Sequence, residues 1–216
     1  MTAMDRTGSL LPVLAFDPDS KLFFSADQTL GFGFLCQPLT GGDDKTEARL
    51  RTLLEEEWPT GAMISFCLAA SPNVLPYTYA LEALRSPAAN SILRHATEDS
   101  IAFLKSGADQ PLPQTGAYVR DFQLIITAKL PIDGARQPMA KDIEAVTNLR
   151  RRAEQCLRDV GVAPLFLDPK RYASVLAPFF NRRPHAPWRR TGTAIVDDQA
   201  LISEQLFDDD VDVRHD

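Results

Sequence analysis

Nowhere in the 216 residues does Gly-Lys precede Ser or Thr. No lysine is therefore placed to reach a β/γ-phosphate, and no hydroxyl is placed to hold Mg²⁺. A dinucleotide fingerprint also fails. Gly31 and Gly33 begin one, but Cys36 stands where a third glycine would let the next helix approach the strand, and Pro38 follows. These two absences exclude a nucleotide site of either common kind. Cysteine is scarce, at three residues. Cys36, Cys67 and Cys156 lie far apart without nearby histidines, so a zinc site is not expected and buried thiols are. His95, His185 and His215 show no metal-ligand spacing, and no serine occupies a Gly-x-Ser-x-Gly elbow. No cofactor, metal or catalytic residue is nominated. Long apolar runs are missing too, so no membrane span is expected. Met1 to Ser9 is polar and lacks a basic stretch followed by an apolar one, so a secretion signal is not expected and the cytoplasm is.

What is present suits a globular domain: 44% hydrophobic and 24% charged residues, on a chain long enough to bury one sizeable core. The formal charge of −6 and pI near 5.1 argue against a protein that coats nucleic acid.

From Leu10 to Leu39 the pattern predicts a short β-meander broken at "DPDS". In the strand Leu30 to Cys36, alternation places Leu30, Phe32, Phe34 and Cys36 on one face and Gly31, Gly33 and Leu35 on the other. The glycines make a smooth strip for close packing. "LTGGDD" turns the chain and offers Asp43 or Asp44 as a helix cap. "KTEARLRTLLEEEW" reads as a helix with Leu50, Leu53, Leu54 and Trp58 on its stripe, ending at Pro59 and Gly61. "AMISFCLAAS" is almost wholly apolar, the pattern of a central strand covered on both sides. Two helical pieces split at "SPAAN" follow, forming a helical insertion over residues 73–106. "RDFQLIITAKLP" alternates as a strand, with Phe122, Leu124, Ile126, Ala128 and Leu130 on one face. Ala140 to Val160 carries a helical stripe of Ile143, Val146, Leu149, Ala153, Leu157 and Val160, with Gly161 beyond. A strand at "APLFLD" and a helix at "PKRYASVLAPFF" complete the series. This order predicts an α+β fold, a mostly antiparallel sheet with helices packed on it, as a ferredoxin-like core with an inserted helical hairpin. The expected division is a flexible start over 1–9, the α+β domain over 10–181, and a basic loop with an acidic tail over 182–216.

"NRRPHAPWRR" packs Arg182, Arg183, Arg189 and Arg190 around Trp188 and His185. The combination suits phosphate contact with base stacking, and it equally suits protein docking, where arginine and tryptophan anchor interfaces. Arg150, Arg151 and Arg152 fan across the long helix, most of them solvated. Asp208, Asp210 and Asp212 would project three carboxylates one way on an extended segment, although a solvated tail explains them as well.

The succession "LAFDPDSKLFFSADQTLGFGFLCQPLTGGDD", "WPTGAMISFCLAASPN" and "YVRDFQLIITAKLP" resembles the N-terminal domain of the TraC-like ATPases of F-type and genomic-island conjugative type IV secretion systems. The resemblance touches most of Leu10 to Asn181. It implies a docking and assembly domain, facing inner-membrane secretion components and neighbouring subunits, cytoplasmic and peripheral at the inner membrane through those partners. Family members continue into a C-terminal motor with a phosphate-binding loop that hydrolyses ATP for pilus assembly and transfer, and none of its catalytic residues has a counterpart here. Arg182, Arg183, Trp188, Arg189 and Arg190 become the candidate partner-binding residues. Nucleic acid is not the expected partner; the alternative is a small single-stranded nucleic-acid module using the Arg/Trp loop.

Overall fold

The computed structural model describes residues 11–85, 90–132 and 137–207. The acidic tail at Asp208, Asp210 and Asp212 and the first nine residues lie outside this range. Along the chain run β1 (Val13–Asp17), β2 (Leu22–Ser25), β3 (Thr29–Cys36), α1 (Asp44–Leu54), β4 (Met63–Ser71), α2 (Leu75–Arg85) and α3 (Ser91–Asp109). Then come β5 (Asp121–Pro131), α4 (Ala140–Asp159), β6 (Leu165–Phe166), α5 (Pro169–Phe180), α6 (Trp188–Thr191) and a 3₁₀ turn at Ile202–Gln205. All strand pairs are antiparallel, in the order β1-β2-β3-β5-β4 with β6 on β3. The α+β class and its antiparallel sheet are as expected. The ferredoxin-like detail is not confirmed by this ladder: β2 holds the first part of one edge of β3 at Leu30 and Gly31, and β6 keeps two residues, opposite Phe34 and Leu35.

Alternation along β3 builds both cores. Leu30, Phe32, Phe34 and Cys36 are buried on one face and stand opposite Leu130, Ala128, Ile126 and Leu124 of β5. The leucine stripes of α1 and α4 close this face with Leu53, Val146, Leu149, Ala153 and Leu157. Asp43 caps α1 by accepting the amide of Thr46 at 2.8 Å. On the other face the glycine strip admits Leu167, whose amide donates to the Gly33 carbonyl at 3.0 Å. Leu167 packs there with Phe23, Val175, Ile202 and Leu206. The chain after Asn181 therefore returns onto the domain: Ile202 and Leu206 are core residues.

Three local expectations change. Helix α1 stops at Leu54, which is exposed, and Trp58 lies past its end with its indole N–H donating to the Leu53 carbonyl at 2.9 Å. The expected central strand, β4, is an edge strand: among the described residues it pairs only with β5, and Phe66 and Leu68 are 48% and 62% exposed. An apolar run marks a strand but does not say how many neighbours it has. Cys67, on that strand, is exposed rather than buried. Arg151 and Arg152 are exposed, as expected of most of the three arginines, and Arg150 is the buried one, lying over the Phe166 ring at 4.9 Å and pairing with Glu154 at 3.5 Å. Burial lowers the pKa of its guanidinium, and Glu154 opposes the shift.

Candidate functional site

The Arg/Trp segment begins where α5 ends. Asn181 leaves the helix at φ −104 and ψ 70, and its carbonyl accepts the indole N–H of Trp188 at 2.7 Å. The Arg182 Nε donates back to the Phe179 carbonyl at 2.9 Å, satisfying an acceptor in the last turn of the helix. Trp188 is 4% exposed and packs with Ala177 and Ala186, so α5 and α6 form one rigid corner.

That corner is fastened to the helical pair. Gly192 ends α6 at φ +72, a conformation that side-chain-bearing residues rarely adopt. A Cβ there would stand 3.2 Å from Leu75 Cβ, while the Gly192 carbonyl accepts from Asn73 Nδ2 at 2.8 Å. The Tyr79 hydroxyl donates to the Arg190 carbonyl at 2.7 Å. Arg189 lies over the Trp188 ring at 4.7 Å, donates from Nε to the Arg183 carbonyl at 3.0 Å, and pairs with Asp109 at 3.0 Å. Between corner and helical pair opens a cleft of about 660 Å³, lined in part by Asn73, Tyr79, Lys105, Asp109, Arg189 and Arg190.

The five residues expected to meet a partner thus separate into three groups. Arg182, Arg183 and Arg190 are exposed. Arg189 is half-buried and engaged by Asp109 and the loop carbonyls. Trp188 is 4% exposed and packs within the corner, so little of its ring is open to a base or a partner. Sequence reasoning missed Asn73, Tyr79, Lys105 and Asp109. Those that bond to the corner do so across 80 to 119 residues, and no local pattern signals such a meeting.

Three cations, Lys105, Arg189 and Arg190, share the cleft with one carboxylate, Asp109, making it locally basic on an acidic chain. Arginine forks there and on the neighbouring exposed loop suit carboxylates of a partner. Elsewhere, the perturbed groups serve the fold. Burial pushes the Cys36 thiol up to about 11, and the hydrogen bond to Asp121, at 2.6 Å, pushes the Tyr77 phenol up to about 12. Among the described residues no cluster of His, Cys, Asp or Glu is placed to hold a metal ion, and no helix is long and apolar enough to cross a membrane.

Residues 8–216 match the family model described as TraC protein. The chain belongs to the TraC family. No curated protein and no solved structure matches it. Membership supports a role in conjugative type IV secretion, as the order of motifs implied.

Proposed function

We propose that this TraC-family chain is a non-catalytic docking and assembly domain of a conjugative-transfer ATPase. It holds the motor at the inner membrane through secretion components there and contacts neighbouring subunits. One observation carries the reading: Arg182, Arg183 and Arg190 are exposed on a corner whose backbone is already fixed by Trp188, Asn73 and Tyr79. A loop ordered before binding loses little further entropy when a partner arrives, and exposed arginine forks select acidic segments. The nucleic-acid alternative loses its stacking platform with the burial of Trp188.

Fractionation of donor cells tests the proposal. The triple variant Arg182→Glu, Arg183→Glu, Arg190→Glu should leave the inner-membrane fraction while melting like the parent chain. Retention of a folded variant at the membrane contradicts docking through this corner. Calorimetry with Mg·ATP on the purified chain should show no saturable binding, and micromolar affinity would overturn the non-catalytic part of the reading.

A further inference from the structure

The two edges of the sheet are finished differently. The β1 edge is short, changes register between Val13 and Ala15, and has the 3₁₀ turn at Ile202–Gln205 packed near it. Such devices blunt an edge against pairing with other chains. The β4 edge has none of them. Its nine residues pair with β5 without a break, from Met63 opposite Lys129 to Ser71 opposite Asp121. Among the described residues no strand lies on its other side. No charged residue occurs between Glu57 and Glu82, on a chain whose net charge is −6. Met63, Phe66 and Leu68 stand exposed along it.

We propose that β4 is the contact with a second copy of this chain, the two β4 strands pairing antiparallel about a two-fold axis at Cys67 so that the sheets join into one. The sequence of the strand is self-complementary in that register. Met63 falls opposite Ser71, Ile64 opposite Ala70, Ser65 opposite Ala69, Phe66 opposite Leu68, and Cys67 opposite its own copy. Residues facing each other share a sheet face, as an antiparallel ladder requires. At both ends large side chains meet small ones, and the exposed Phe66 and Leu68 cover each other across the axis. Pro72 ends the strand, since it has no amide to extend a ladder, so a register shifted far from Cys67 forfeits pairs. Two acidic chains would repel across most surfaces, and this uncharged stretch lets their backbones meet. The pairing supplies the subunit-contact part of the assembly role and rests on that reading for its place in the cell. It is tested on the purified chain, so either can fail alone.

Sedimentation equilibrium should give a dimer for the full chain, and Leu68→Lys should give a folded monomer, because position 68 is exposed before pairing. Opposed Cα atoms in an antiparallel pair lie about 4.5–5.5 Å apart, within disulfide reach. Mild oxidation with copper phenanthroline should therefore link the copies through Cys67, and Cys67→Ser should abolish the link. The cross-link decides the matter should Leu68→Lys fail to fold. A monomeric parent chain, a dimer that Leu68→Lys leaves intact, or a dimer without a Cys67 cross-link overturns the proposal.

Discussion

A Cβ at Gly33 would stand 2.6 Å from Leu167 Cδ1, inside a core where that leucine has little freedom to move. At Gly31 it would meet the Ala128 carbonyl at 3.2 Å. Gly33→Val should therefore destabilise the domain by about 1–3 kcal/mol, and Gly31→Val should act in the same direction. Gly41→Ala, with nothing within 4 Å, is the matched control. Urea denaturation checks all three, and unchanged midpoints for both valine variants contradict the packing account. Trp188→Ala should cost about 3–5 kcal/mol, because it empties a buried site. Its effect on any single-stranded DNA binding should therefore follow unfolding. Sub-micromolar binding at physiological salt, lost in a Trp188→Ala chain that remains folded, would contradict this. Tyr77 gives a pH signature. Its pKa in the folded chain is raised from 10.0 to about 12, so the stability from its bond to Asp121 is complete below the lower value. That stability is lost as pH rises from the lower value through the upper. Alkaline melting should show a loss over this window that is absent in Tyr77→Phe. At this scale the alternation of β3 was legible, because period two follows from backbone geometry alone. The burial of Trp188 was not, since arginines beside an indole read alike whether the ring faces a partner or its own core.

Elements that carry their own periodicity could be read directly. The stripe of α4 from Ile143 to Leu157 faces the core, and Asp43 caps α1 as the turn chemistry implied. What failed was placement. β4 was assigned to the centre because an apolar run looks the same at an exposed edge as at the middle of a sheet. Which of Arg150, Arg151 and Arg152 leaves solvent was not legible, because helical spacing did not reveal that Phe166 returns beneath Arg150. The fastening of the corner to α2 and α3 also belongs to this scale, and its bonds are unequal. Asn73 is buried, so Asn73→Ala should leave the Gly192 carbonyl without its partner and cost about 1–3 kcal/mol. Asp109→Ala breaks an exposed pair and should cost about 0–1 kcal/mol. Hydrogen exchange in α6 should rise markedly in the first variant and slightly in the second. Equal protection in both would contradict the assignment of Asn73 as the principal tie.

Across the whole molecule the sheet separates two cores, and the chain after Asn181 closes the second by returning Ile202 and Leu206 to it. The exposed guanidiniums therefore sit on a body folded through residue 207, which suits a docking unit more than a flexible linker. The fold class was legible in the sequence because element order and turn signals are local. The cleft was not, because its sides come from residues 72–109 and 184–190, joined only by folding. Docking through the arginine corner is the central claim, and conjugative transfer frequency tests it most directly. Donor cells lacking the native protein, complemented with the Arg182→Glu, Arg183→Glu, Arg190→Glu chain in its natural context, should transfer far less than donors carrying the parent at equal protein level and equal thermal stability. Undiminished transfer by the folded variant would contradict the account.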